Sequence, residues 1–376
     1  MNIAVNTRLL IKGKLEGIGW FTFESLKRIT TQHPEHHFYF IFDQPFDRSF
    51  IFSNNITPIV LFPPARHPFL FYIWFEIRLP RLLKKLNPDL FLSPDGYLSL
   101  RSGIKSVAVF HDLSFEHYPE HIPFFSRMHY RHFFPKFAQK ATRIVTVSQF
   151  SKHDIHQQYG VNTAKIDVVY DGANEDYRPL PIKEQDVIRK RFTNGCPYFI
   201  FIGSLHPRKN LVNLFKAFDI FKNTTGSDIK LLIVGAKKWW TKDISRTFKS
   251  MDHSGEVVFS GRLNAEELVK VLGSSLALTY VSYFEGFGIP IVEAFRCGTP
   301  VITSNVTSMP EVAGDAALLV DPFNPRSIAD AMIQVFEIPE LSKKLALAGE
   351  KRKDEFTWQK TADRLWESIE KAVKSN

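Results

Sequence analysis

Two glutamates set the chemistry for which this sequence can be read. Glu285 and Glu293 lie in the stretch Tyr283 to Pro300, YFEGFGIPIVEAFRCGTP. An apolar run, Ser275 to Ser282, leads into a glycine-broken loop, Glu285-Gly286-Phe287-Gly288. A helix is expected from Ile289, with Pro290 in its first turn, where a missing N–H costs nothing. Gly298 is placed to stop that helix, and a second apolar run, Pro300 to Thr303, follows. Such a strand-loop-helix unit presents backbone N–H groups and a helix N-terminus to an anion, an arrangement suited to phosphate. Carboxylates beside a phosphate seat make sense if they accept hydrogen bonds from hydroxyls. These residues suggest a ligand that is part phosphate and part sugar.

The run E-G-F-G-I-P-I-V-E resembles the signature of the family 4 retaining glycosyltransferases, a glutamate, seven residues and a second glutamate. The adjoining E-A-F-R-C-G-T-P-V-I-T-S and P-E-V-A-G-D-A-A-L-L-V-D-P runs fit the same pattern. The resemblance implies an α/β, GT-B fold: two doubly wound Rossmann-like domains facing a cleft, with a C-terminal helix crossing back to the first. It implies that Glu285 holds sugar hydroxyls and Glu293 the ribose, with Gly286, Phe287, Gly288 and Ile289 beside the donor.

Further stretches carry roles by the same resemblance. In G-S-L-H-P-R-K-N, Arg208 and Lys209 sit where a helix is expected to begin, and cations there oppose the helix dipole. A bound diphosphate would reverse that penalty, and the family places basic diphosphate contacts here. Ser204 is counted with the donor-binding residues, although many members have arginine after this glycine. The loop G-K-L-E-G-I-G offers Gly17 and Gly19, which permit close backbone approach or positive φ under the donor phosphate. His111, at the tip of the expected strand S-V-A-V-F-H, is assigned to the transferred sugar, while Asp112 is equally suited to cap the next helix. Ser148 is a natural N-cap in V-S-Q-F-S. Arg262 and Leu263, after E-V-V-F-S-G, line the base pocket in the family pattern.

The elements that must position these residues alternate regularly. Expected strands are Asn2–Leu9, His37–Phe42, Thr57–Phe62, Leu90–Ser93, Ser106–His111, Arg143–Ser148 and Lys165–Tyr170, with helices near Gly19–Thr31, Trp74–Leu86, Ser126–Lys140 and Gln149–Tyr159. After a polar linker the pattern restarts at Tyr198, with strands also expected at Lys230–Gly235, Val257–Ser260, Leu276–Val281, Val301–Thr303 and Ala317–Val320. Apolar strands alternating with helices argue for parallel sheets covered on both faces. The expected domains are 1–172 with a crossover helix at 357–376, and 173–356. Trp358 and Trp366, eight residues apart, share one face of that last helix.

Composition bounds the partners. The 376 residues carry 48 Lys and Arg against 39 Asp and Glu, a net charge of +9. Up to residue 175 there are 20 basic and 15 acidic residues, so the excess is spread and no basic arm for nucleic acid is present. A mild basic excess fits phosphate substrates or an anionic membrane. The stretch Arg66 to Lys85 mixes aromatic and basic residues and is read first as a core helix with a basic exposed face, with a segment lying on a membrane interface or an acceptor groove as the alternatives. Cys196 and Cys297 form no disulfide framework, which favours a reducing compartment. There is no D-x-D, and no His/Asp/Glu cluster with metal-ligand spacing is evident, so no metal or cofactor is expected. H-D-L-S-F-E-H-Y-P-E and its companions most resemble bacterial mannosyltransferase-like members. The expectation is a metal-independent transferase using GDP-mannose, acting on a glycan or lipid-linked acceptor of the cell envelope, cytoplasmic and peripheral on the inner membrane. A UDP-sugar donor, a nucleotide-sugar epimerase and a non-catalytic partner subunit are the alternatives.

Overall fold

The structure is a computed structural model that describes residues 1–375. The chain divides into two compact units, Met1–Gly172 joined by the segment from Trp358 onward, and Ala173–Thr357. In the first, β1 (Asn2–Asn6), β2 (His37–Phe42), β3 (Ile56–Val60), β4 (Leu90–Ser93), β5 (Ser106–Phe110), β6 (Arg143–Thr146) and β7 (Ile166–Val168) form one sheet. Its order is β3-β2-β1-β4-β5-β6-β7, parallel throughout. The helices are α1 (Gly17–Gln32), α2 (Pro68–Ile73), α3 (Leu79–Leu86), α4 (Ser114–His117), α5 (Phe124–Lys140) and α6 (Gln149–Tyr159). The strand order reverses at β1, so the loops after β1, β4 and β5 open at a topological switch point.

The first expected strand is cut short. It ends at Asn6 because the chain turns, with the Leu10 N–H bonding the Thr7 carbonyl at 3.0 Å, and Arg8 swings inward. Arg8 is buried, pairs with Asp95 at 2.6 Å, and lies 4.7 Å from the Tyr97 ring centre and 5.0 Å from that of Phe71. The Trp74–Leu86 helix is also longer than expected. It starts at Pro68 and passes through a π-helical turn at Trp74–Arg78 that buries Trp74, Phe75 and Glu76. Trp74, Phe75, Tyr97, Phe110, Phe134 and Phe137 belong to one core cluster, which takes up several of the 35 phenylalanines of the chain.

In the second unit, β8 (Tyr198–Ile202), β9 (Lys230–Val234), β10 (Val257–Gly261), β11 (Ala277–Tyr280), β12 (Val301–Ser304) and β13 (Leu318–Val320) run parallel in the order β10-β9-β8-β11-β12-β13. The helices are α7 (Ile182–Thr193), α8 (Leu211–Thr225), α9 (Lys242–Lys249), α10 (Ala265–Gly273), α11 (Ile289–Cys297), α12 (Met309–Ala313), α13 (Pro325–Glu337) and α14 (Pro339–Arg352). The switch point lies between β8 and β11. The last helix, α15 (Trp358–Lys374), packs on α1 of the first unit with Trp358 and Trp366 buried.

Glycines close the upper ends of three neighbouring strands. The Gly203 N–H reaches the Val234 carbonyl at 3.0 Å, and the Gly235 N–H reaches that of Gly261 at 2.9 Å. A Cβ on Gly235 would lie 1.9 Å from the Gly203 carbonyl oxygen, whereas one on Gly255 would meet open space. Gly235→Ala should therefore destabilise the second unit by about 3 kcal/mol or more, through backbone overpacking. Gly255→Ala should stay within about 0.5 kcal/mol of the parent. Urea unfolding followed by tryptophan fluorescence measures both, and equal midpoints for the two variants would refute this account.

Candidate functional site

The loops after β8 and β11 are laced together because their strands are neighbours. After β8, His206 caps a 3-10 turn at Pro207–Lys209 by accepting from the Arg208 N–H at 3.2 Å. Asn210 then takes a left-handed conformation, φ 62°, and α8 starts at Leu211. Its side-chain amide donates to the carbonyls of Val281 at 2.9 Å and Pro322 at 2.7 Å. The Tyr283 N–H donates to the Arg208 carbonyl at 2.8 Å, and the Arg208 guanidinium to the Phe284 carbonyl at 3.0 Å. From the other side, the Ser308 hydroxyl lies 2.9 Å from the carbonyls of both Glu285 and Phe287. Gly288, at φ 109°, turns the chain into α11, whose first turn holds Pro290 and whose end is capped by Gly298 at φ 66°.

Glu285 occupies the centre of this lacing. It is 6% exposed. Arg208 Nη1 lies 2.9 Å from its Oε2, and Lys209 Nζ lies 2.6 Å from its Oε1. Lys209 Nζ also donates to the Tyr280 hydroxyl at 2.6 Å and sits 4.8 Å from that ring's centre. Burial alone would push the Glu285 carboxyl up; Arg208 and then Lys209 outweigh it and hold the group at about 2. Glu293, one helical turn into α11, has the opposite setting. Burial pushes its carboxyl up to about 7, against the pull of a hydrogen bond from the Tyr177 hydroxyl. One glutamate is thus a permanent anion and the other titrates near neutrality.

In the first unit, His111 follows β5. Its Nε2 is 2.8 Å from the Pro94 carbonyl, and its ring meets Phe21 edge-on at 5.0 Å. Bonding to a carbonyl makes Nε2 the protonated nitrogen and leaves Nδ1 as an acceptor. Burial pushes the imidazole pKa down and keeps it neutral. Asp112 accepts from the Ser114 N–H at 2.9 Å at the start of α4, the capping reading of that residue. Ser148 caps α6 through the Ser151 N–H at 3.0 Å. Ser204 and Arg262 are exposed and Leu263 half-buried, Ser204 after β8 and the other two after β10.

Four expectations need correction. Arg208 and Lys209 do not begin a helix; they lie in the 3-10 turn before it, and Glu285 compensates their charge. They are a buried ionic network and not a pair whose only counter-charge is a ligand. Gly17 and Gly19 adopt no positive φ: both lie in the first turn of α1, and the left-handed glycine of that loop is Gly13 at φ 70°. A Cβ on Gly17 would meet open space, so a close approach there is sterically free. The Phe287 side chain is core, edge-on to Phe356 at 5.5 Å, and only its backbone can face a ligand. Finally, one group with ligand spacing does exist. His33, Glu35 and His36, in the turn after α1, bring candidate ligand atoms within 4.8 Å of one another. They lie at the opposite end of α1 from Gly17, about 24 Å away at 1.5 Å per residue.

Sequence reasoning missed Tyr177, Tyr280, Asn210 and Ser308. Only Asn210 left a local trace, as an asparagine just ahead of a helix where a left-handed residue fits. The others act through contacts that no spacing announces.

Parallel Rossmann-like units with this loop chemistry define a glycosyltransferase of GT-B type. Two family models match: Glycosyltransferase Family 4 over residues 17–177 and Glycosyl transferases group 1 over residues 183–352. Each model matches close to one half of the chain, and both describe glycosyltransferases. The chain is 28% identical over 278 residues to O-antigen chain mannosyltransferase B of Escherichia coli, covering 74% of this chain and 73% of that one. It is 26% identical over 276 residues to O-antigen chain mannosyltransferase RfbU of Salmonella typhimurium, covering 73% and 72%. Its fold matches that of WaaG, a glycosyltransferase involved in lipopolysaccharide biosynthesis, with a TM-score of 0.73 at 15% identity over the full length of both chains.

The ionic network gives a test of stability. Arg208→Ala with Lys209→Ala strands a buried anion, which costs about 3–5 kcal/mol. Adding Glu285→Gln should return a large part of that loss, since the uncompensated charge disappears. Denaturant unfolding of the three proteins decides; a double variant as stable as the parent would show that the pairing contributes nothing. Because the Glu285 carboxyl is depressed in the fold, its contribution is full above its unfolded value near 4.5 and is lost as pH falls toward about 2.

Proposed function

We propose that this glycosyltransferase moves mannose from GDP-mannose, with retention of configuration, to a hydroxyl of a glycan or lipid-linked acceptor in cell-envelope polysaccharide synthesis. The observation that carries the reading is the Arg208–Glu285–Lys209 cluster. A diphosphate arriving at the head of α11 finds two cations already desolvated and fixed, and one carboxylate positioned to accept sugar hydroxyls. The mannose assignment is supported by the mannosyltransferase relatives. In the reaction the anomeric C–O bond to phosphate breaks and the acceptor oxygen bonds the same face. The departing phosphate oxygen takes the acceptor's proton. Catalysis comes from positioning and from stabilising charge that grows on the diphosphate. Arg208, Lys209 and the α11 N-terminus supply that stabilisation, so no metal is required. In the first unit, neutral His111 keeps Nδ1 as an acceptor suited to a sugar hydroxyl, and Gly17 leaves the first turn of α1 open to a phosphate, while Gly19 packs against Leu15. Gly286, Gly288, Ile289 and the Phe287 backbone lie beside the donor, with Ser204, Arg262 and Leu263 toward its nucleotide. The enzyme works in the cytoplasm at the inner face of the membrane.

Incubation with radiolabelled nucleotide sugars tests the reading. GDP-mannose should be slowly hydrolysed or transferred, with turnover retained in excess EDTA. Turnover of a UDP-sugar alone moves the donor assignment, a changed sugar indicates an epimerase, and binding without turnover indicates a partner subunit. Turnover lost in EDTA and restored by Mg²⁺ or Mn²⁺ would contradict the metal-free mechanism.

Glu293 gives a second test. Glu293→Ala should weaken GDP binding roughly tenfold to a hundredfold, the worth of one charge-assisted hydrogen bond. An ionised carboxylate accepts hydroxyls better than a neutral one, so wild-type affinity should rise as pH passes up through about 7. Calorimetry across that range reads both effects, and an unchanged affinity in the variant removes the ribose assignment.

A further inference from the structure

The turn between α1 and β2 gathers two histidines and a glutamate that the transfer reaction does not use. His33 Nδ1 lies 3.7 Å and His36 Nε2 3.2 Å from the same oxygen of Glu35, Oε1. All three candidate ligand atoms fall within 4.8 Å of one another. Donors about 2.1 Å from a tetrahedral ion stand about 3.3 Å apart, so small side-chain rotations close this set around one ion. The ion partners of Glu35 among the described residues are the two imidazoles.

The rings are held in place before any ion arrives. His33 stacks on Trp366 of α15 with centroids 3.8 Å apart and planes at 18°, and His36 stacks on the same indole at 5.1 Å and 22°. The two imidazoles are consequently nearly parallel, at 10°. His36 Nδ1 meets the Met1 amine at 3.1 Å, which leaves Nε2 toward Glu35. The backbone of the turn is fixed as well: the Asn55 side-chain amide donates to the carbonyls of His33 at 3.1 Å and His36 at 2.9 Å. Beside it the Gln32 amide donates to Gln359 at 2.9 Å, a further link between α1 and α15. His37 stands apart, with its Nε2 3.0 Å from the Thr57 hydroxyl. The His33 and His36 side chains are 26% and 18% exposed and that of Glu35 60%, so the cluster is reachable from water.

Two imidazoles and one carboxylate suit Zn²⁺, with Cu²⁺ and Ni²⁺ as competitors. They disfavour Mg²⁺ and Ca²⁺, which take oxygen ligands. We propose that His33, Glu35 and His36 bind one Zn²⁺, which pins the α1–β2 turn against Trp366 and so fastens α15 to α1. Water fills the remaining position, as exposure allows. The cluster lies at the far end of α1 from Gly17, so the ion is structural and takes no part in transfer. Uptake is read without any sugar donor, and turnover in EDTA is expected to persist with the site empty, so this site and the transfer reaction stand or fall separately.

Calorimetry on protein stripped with EDTA and then dialysed should show one Zn²⁺ per chain. The thermal midpoint should rise with Zn²⁺ and fall back in EDTA, because an ion bound by the folded state alone stabilises it. Mg²⁺ should do neither. His33→Gln with His36→Gln should abolish uptake. Glu35→Gln should weaken it at least about tenfold, the least that loss of even an outer partner costs a metal site. Glu35 is exposed, so the metal-free unfolding midpoint of that variant should match the parent and show that the loss is not misfolding. Cu²⁺ serves as a quenching probe of position. It should quench tryptophan emission strongly in the parent and weakly in Trp366→Phe, which retains an aromatic ring for stacking and should still take up Zn²⁺. Four results would each overturn the proposal: no Zn²⁺ uptake by the parent, parental uptake by the double variant and Glu35→Gln, an equal response to Mg²⁺, or undiminished Cu²⁺ quenching in Trp366→Phe.

Discussion

Glu285 is an ionised carboxylate inside the protein, and the architecture of the second unit around it follows from keeping it so. An isolated buried anion would be neutralised or would unfold its surroundings. Here Arg208 and Lys209 are brought to it by strand order alone: β8 and β11 are neighbours, so the loops at their ends meet. The lacing by Asn210, Tyr283 and Ser308 then fixes loops that would otherwise be mobile. The buried carboxylate in turn fixes both cations, Arg208 at 2.9 Å and Lys209 at 2.6 Å.

The two glutamates of the signature illustrate how environment divides chemically identical groups. They sit on one loop-helix unit, yet cations hold Glu285 at about 2 while burial holds Glu293 near 7. The first keeps its charge under all physiological conditions. The second accepts a hydrogen bond from the Tyr177 hydroxyl, which does not offset its burial. His111 follows the same logic: burial against Phe21, with the Pro94 carbonyl on Nε2, disfavours its charged form.

The first unit is governed by a second buried ion pair, Arg8 with Asp95, at the C-terminal ends of β1 and β4. It ends β1 early and holds Tyr97 and Phe71 over the guanidinium, so the aromatic core and the switch-point loops share one anchor. The abundance of phenylalanine has two meanings in this unit. Phe75, Phe110 and Phe137 pack inward, while Phe69, Phe124 and Phe125 are left in water. Composition does not distinguish them; position relative to the sheet does.

The sequence by itself determined the elements whose signals are local. Pro290 at a first turn, Gly298 at a left-handed cap, Ser148 bonded within its own turn and the shared face of Trp358 and Trp366 all act within a few residues, so spacing reveals them. The form of the signature stretch was legible for the same reason, as glycines, a helix start and two carboxylates lie within one short stretch. What only the tertiary structure decided are the pairings that join distant stretches. Arg208 meets Glu285 across 77 residues and Arg8 meets Asp95 across 87. Tyr177 reaches Glu293, and the Phe287 ring packs edge-on against Phe356. Residue types show that Arg208 and Lys209 are cations; they do not show what compensates them. Strand order decides which loops share a sheet edge, and burial there decides whether a charged group meets water or a partner.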